Sequence, residues 1–243
     1  MARTALSIEH LSFKFHRRSP FFFHDLSFTL DENKLHFVQG KNGSGKTTLF
    51  RILRGNTSKD EFVSGVFHIY DQVYSASDNH PLDKEFTNKI KMVPQKFDLM
   101  IADQFTFTEN LRLANMPEYP TIAQLPPHQP LPDLIKRFGI DYSKPSQLLS
   151  GGQRQILAIL MALQKPTTIL LLDEPTAALD EKNATMVMEF LSELIRSIAI
   201  TIVVICHDKD LVFRYASDSF FEIEVDEQTE TRRIIKVPIS RHV

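Results

Sequence analysis

Gly40-Lys41-Asn42-Gly43-Ser44-Gly45-Lys46-Thr47 decides how this chain is read, because it fits the pattern G-x-x-x-x-G-K-[ST]. Glycines at these spacings let the backbone curl so that successive N–H groups face phosphate oxygens. A short apolar strand, 35–39, runs into the loop, and a helix over 47–54 is predicted to leave it. That helix brings the positive end of its dipole to the same place. Lys46 reaches the outer phosphates as a cation, and Thr47 offers its hydroxyl to Mg²⁺. The stretch therefore predicts a phosphate site, most simply for a nucleoside triphosphate.

Glycine is scarce everywhere else. The chain has 243 residues and 8 glycines, where average usage of about 7 % gives roughly 17. Five of the eight fall in two clusters, the loop above and Gly151-Gly152. With 42 % hydrophobic and 24 % charged residues, the composition is that of a globular protein. A net charge of −2 gives no global attraction to nucleic acid or to anionic membrane. The single cysteine, Cys206, forms no internal disulfide. The longest apolar run, 198–206, has nine residues against the about 20 of a membrane span. The first 25 residues lack the apolar core of a secretory signal.

Outward from the loop, strands are predicted at 5–9, 12–15 and 26–30, then at 62–70 and 89–93. From residue 106 to 138 helical pieces are broken by Pro117, Pro120, Pro126, Pro127, Pro130 and Pro132. This is a semi-rigid loop, with a polyproline ligand for a partner domain as the other reading. A helix from Gly151 to about Leu163 and a strand at 168–172 follow. Residues 181–198 then repeat their apolar side chains at i, i+3, i+4, i+7, the mark of a helix lying on a sheet. A doubly buried strand at 201–205, a short helix at 208–216 and a hairpin of 220–225 with 231–237 complete the pattern.

The strand before Pro175 ends in two acids, Asp173 and Glu174. Ligands of open α/β sheets sit at such carboxyl ends. Asp173 is placed to hold Mg²⁺, and Glu174 to polarise an attacking water as general base. Leu149-Ser150-Gly151-Gly152-Gln153 precedes a helix, with Ser150 as its N-cap, and makes a second anion site on a separate segment.

Here the sequence resembles the ATP-binding-cassette (ABC) ATPases, whose signature motif Ser150-Gly151-Gly152-Gln153 matches. The resemblance runs over roughly residues 6 to 225. It implies an α/β phosphate-loop core with an N-terminal antiparallel β-subdomain and an inserted α-helical signature subdomain. The whole chain would be one such domain, with 1–95 and 165–243 as the core and 96–164 as the helical part. Gln95 is similar to the glutamine that touches the metal and the attacking water, Asp180 to the D-loop aspartate, and His207 to the histidine at the γ-phosphate. Phe15 lies where the family stacks an aromatic ring on adenine, with Phe13 as its rival.

The resemblance also implies a head-to-tail dimer with a second ABC ATPase subunit, identical or paralogous. Residues Gly40 to Thr48 of one chain would face Ser150 to Gln153 of the other across ATP and Mg²⁺. It points to an ATPase subunit of a transporter, peripheral on the cytoplasmic face of the membrane through an integral permease, import being favoured over export by analogy. A soluble ATPase of iron–sulfur cluster assembly is the alternative, and a nucleotide clamp without useful turnover the non-enzymatic one. The translation-factor and DNA-repair branches fit less well, since the chain carries no tandem cassette, long coiled coil or zinc motif. Three departures stand out, one being that the stretch between Lys46 and Gln95 is slightly long, with polar 75–84 as the insertion. The helix after the signature is almost wholly apolar over 156–163 where the family often has a basic residue, and the proline-rich segment falls in the helical part that meets the membrane partner.

Overall fold

Ten strands form two sheets in the computed structural model, which describes residues 3–77, 82–117, 127, 133–226 and 228–239. The first sheet is antiparallel. It contains β1 (Thr4–Lys14), β2 (Phe23–Asp31), β4 (Phe62–Ile69) and β5 (Gln72–Ala76), in the order β2-β1-β4-β5. The second has β3 (Leu35–Gln39), β6 (Ile90–Val93), β7 (Ile169–Asp173), β8 (Thr201–Ile205), β9 (Ser219–Val225) and β10 (Arg232–Pro238), in the order β10-β9-β3-β8-β7-β6. All its pairings are parallel except β9 with β10. Six α-helices accompany them among the described residues: α1 (Lys46–Leu53), α2 (Lys84–Asn88), α3 (Phe107–Ala114), α4 (Gly151–Ala162), α5 (Glu181–Ser197) and α6 (Lys209–Tyr215).

The middle of the parallel sheet is covered on both faces, so β3, β7 and β8 are buried at every residue. Alternate side chains go to opposite cores. Phe37, Leu170, Leu172, Ile202 and Val204 pack with α4 and α5. Val38, Ile169, Leu171, Val203 and Ile205 pack with α1 and the antiparallel sheet. α5 lays down Val187, Met188, Phe190, Leu191 and Leu194; of the stripe its periodicity predicts, Ile195 is half-buried and Ile198, past the helix end as its C-cap, is exposed. Each such fully buried side chain contributes about 1.5–3 kcal/mol of burial free energy.

Register positions the site. Val38 pairs with Ile205, Asp173 with Ile205, and Val93 with Leu172. The carboxyl ends of β3, β6, β7 and β8 are thus level, and the segments that follow all leave from one edge. Those segments carry the phosphate loop, Gln95, Glu174 and His207.

One expectation needs correction. The strands expected at 5–9 and 12–15 are one strand, β1, whose register slips between Ile8 and Leu11 at a bulge where His10 has φ 57°. The described residues of 75–84 belong in part to regular elements. Ser75 and Ala76 end β5, whose Tyr74 and Ala76 face the core, and Lys84 begins α2, capped by Asp83. The proline-rich segment lies mostly outside the described residues, with Pro117 and Pro127 inside them. Between residues 96 and 164 the described chain is made of α3, α4, three short 3₁₀ turns (Phe97–Met100, Asp133–Phe138 and Ser146–Leu148) and connecting segments. No described helix is long and apolar enough to cross a membrane.

Candidate nucleotide site

The phosphate loop leaves β3 and closes onto α1. Gly45 caps α1 at φ 109°, and a Cβ there would lie 2.7 Å from both Phe22 Cε1 and Phe23 Cζ. Only glycine combines that backbone with that approach. Ser44 Oγ is fully buried and bonds no described group, a hydroxyl left for an acceptor such as a phosphate oxygen. Lys46 Nζ donates to the loop's own carbonyls, Gly40 O at 2.7 Å and Lys41 O at 3.1 Å. Burial pulls the Lys46 ammonium below its ordinary pKa, against the charges of Glu174 and Asp173.

Asp173 ends β7 and is nearly buried. Burial and the charge of Glu174 push its carboxyl up, while a hydrogen bond from Thr47, with Lys46 and His207, pulls it down. Glu174 takes the unusual φ of 51°, and its N–H donates to Ile205 O at 3.1 Å. Gln95 Nε2 donates to Glu174 Oε2 at 2.8 Å, and His207 Nε2 lies 2.9 Å from Glu174 Oε1. One carboxylate thus spans residues from three strand ends. Beside it opens a cleft of ≈ 680 Å³ lined by Glu174, Thr176, Leu179 and His207. Cys206, at the end of β8, is buried, and burial raises its thiol pKa to about 11.

Of the two aromatic candidates, Phe13 is fully buried, whereas Phe15 is 40 % exposed. The Phe15 ring meets Phe22 edge-on at 4.8 Å, and Phe22 carries the Arg232 guanidinium on its face at 3.7 Å.

Ser150 caps α4 in a reciprocal box. Its Oγ accepts from Gln153 N–H, and Gln153 Oε1 accepts from Ser150 N–H. Gln153 Nε2 also donates to Phe138 O and Gly139 O, both at 3.3 Å. Asp180 caps α5, and hydrogen bonds from Asn183 hold its carboxyl below the usual range.

Two contact residues escape the sequence reading. Arg154, directly after Gln153, reaches Asp98 at 2.7 Å and Asp103 at 2.8 Å and so ties α4 to the segment that follows Gln95. Its position next to the signature was its only mark. Asn183 joins Asp180 to Ser150, which nothing in its local sequence announces.

The fold is that of an α/β protein of the phosphate-loop class. The family model described as "ABC transporter" matches residues 23–177, and the chain belongs to that family. It is 33 % identical over 197 residues to the methionine import ATP-binding protein MetN of Latilactobacillus sakei, covering 78 % of this chain and 54 % of the relative. Against methionine import ATP-binding protein MetN 1 of Pseudomonas fluorescens it is 30 % identical over 194 residues, covering 79 % and 56 %. The chain spans only about a third to three-fifths (32 to 60 %) of the length of the curated relatives it matches. Among solved structures, cbiO1 from Clostridium perfringens, part of the ABC transporter complex cbiONQ, shares the fold. Its TM-score is 0.70 at 23 % identity, over 97 % of this chain and 88 % of that one.

Proposed function

We propose that the chain is the ATP-binding and ATP-hydrolysing subunit of an ABC transporter, acting as a head-to-tail dimer. The observation that carries this reading is the Glu174 carboxylate held between Gln95 and His207, on the same sheet edge as Lys46 and the phosphate loop. Gly40, Lys41, Asn42, Gly43, Ser44, Gly45, Lys46, Thr47 and Thr48 cradle the phosphates, with Ser44 Oγ and the loop N–H groups donating. Phe15 stacks on adenine from its exposed side. Thr47, Asp173 and Gln95 form an all-oxygen donor set that fits Mg²⁺, with Asp173 nearly buried beside the Thr47 hydroxyl. When bound, the ion neutralises phosphate charge.

Glu174 orients the attacking water and takes its proton, Gln95 holds that water's other side, and His207 donates toward the γ-phosphate. Ser150, Gly151, Gly152 and Gln153 of the second chain close the site, and Asp180 lines the seam. In this account residues 96–164 form the helical subdomain, packed onto a core of 1–95 and 165–243. Leu99 is 87 % exposed and Leu148 66 %. They follow Asp98 and Ser146, the partners of Arg154, by one and two residues and give a permease an apolar foothold. The permease would hold the subunit on the cytoplasmic face of the membrane. The names of the methionine import relatives support import.

The purified chain is expected to release phosphate from ATP, and a tagged copy to bring down a multi-span protein from detergent-solubilised membranes. Recovery in a soluble complex alone would contradict the transporter role, and absence of phosphate release the catalytic one.

A further inference from the structure

Asn183, in the first turn of α5, is held from two sides. Its Nδ2 donates to both carboxylate oxygens of Asp180 at 3.0 Å, and its backbone N–H donates to Asp180 Oδ1 at 2.8 Å. That fixes the amide, so Oδ1 faces α4. There it accepts from the Ser150 hydroxyl at 3.0 Å and from the Gly152 N–H at 3.2 Å. Ser150 Oγ already accepts from Gln153 N–H, so its one proton goes to Asn183. The approach depends on Gly152, where a Cβ would lie 2.8 Å from Asn183 Oδ1 and 3.2 Å from the Asn183 backbone oxygen. The second glycine cluster thus has a role inside its own chain.

Two donors at a helix N-terminus, aimed at one oxygen, are an arrangement suited to an anion. Here a neutral amide oxygen takes both. Hydrogen bonds to a charged phosphate oxygen are roughly twice as strong as those to a neutral acceptor. The amide is therefore an occupant that satisfies the donors and yields to phosphate.

We propose that Asn183 is a positioning residue whose Oδ1 stands in for a γ-phosphate oxygen at Ser150 and Gly152 and is displaced when the partner's ATP arrives. This rests on the head-to-tail reading above. Displacement releases one end of the Asn183 amide, whose other end grips Asp180. Occupancy of the signature is thereby communicated to the turn six residues beyond Glu174.

The test uses the full chain in the Glu174→Gln background with ATP and Mg²⁺. The dimer dissociation constant is measured by sedimentation, with nucleotide-free melting curves as the check on folding. Asn183→Leu keeps the branched outline and removes the acceptor, and Asn183→Ser removes the reach. Both are expected to tighten the ATP-dependent dimer by about two- to ten-fold, the worth of about one neutral hydrogen bond no longer competed for. A purely structural Asn183 would weaken the dimer in both variants. Weakening, or no change within two-fold, overturns the proposal while leaving the head-to-tail dimer intact. A parent that stays monomeric with ATP overturns that reading and this proposal with it.

Discussion

Replacing Glu174 with glutamine is expected to cut ATP turnover about a thousand-fold while ATP still binds, and to leave the chain trapped as a dimer. The size follows from losing a general base, which contributes about 10²–10⁴ in rate. The selectivity follows from geometry. Gln95 and His207 grip the two oxygens of Glu174 at 2.8 and 2.9 Å. A glutamine has the same shape and keeps an oxygen and an NH₂ in those positions, with Gln95 turning its own amide to match. The φ of 51° is no harder for glutamine than for glutamate. Network and fold persist, and only the basic oxygen is gone. Single-turnover phosphate release, compared with equilibrium ATP binding on the same sample, checks this. Unchanged turnover would remove Glu174 from the role of base.

Lys46→Ala is expected to weaken ATP binding by about 10- to 100-fold, the cost of a charged hydrogen bond in a partly desolvated site. The ammonium rests on Gly40 O and Lys41 O and is nearly buried. Its depressed pKa, caused by burial, records charge stripped of water. Such a charge interacts more strongly with phosphate than an exposed one. Alanine leaves the glycine-shaped loop in place, so the loss falls on affinity more than on folding. Titration calorimetry with ATP and with ADP separates the cases. Equal affinities for wild type and variant would contradict the phosphate-loop assignment of Lys46.

The strands that build the sheet's centre were legible because both their faces are buried, which writes an unbroken apolar run at 169–172 and 202–205. β5 was hidden because only Tyr74 and Ala76 of its residues are buried, so the stretch reads as polar. β1 looked like two strands because the bulge around His10 shifts the alternation. Within the site, the phosphate loop and the Asp173–Glu174 pair stood out because each concentrates its chemistry in one stretch. Gln95 and His207 are single residues after strands, and nothing local marks them. Their meeting at Glu174 is a consequence of register, which the family resemblance supplied and the level strand ends explain. Asn183 and Arg154 act through contacts with residues about 30 to 56 positions away and so leave no local pattern.

The composite site is the centre of this account, and Ser150→Asp in the Glu174→Gln background tests it most directly. Aspartate is as good an N-cap as serine, so α4 stays capped. Its charge, however, would face the γ-phosphate held by the other chain. The measurement is sedimentation mass at saturating ATP, alongside ATP affinity of the monomer. The account predicts that Glu174→Gln sediments as a dimer, and that the doubly substituted chain binds ATP equally well yet sediments as a monomer. A doubly substituted chain that dimerises as readily as its parent would contradict the account.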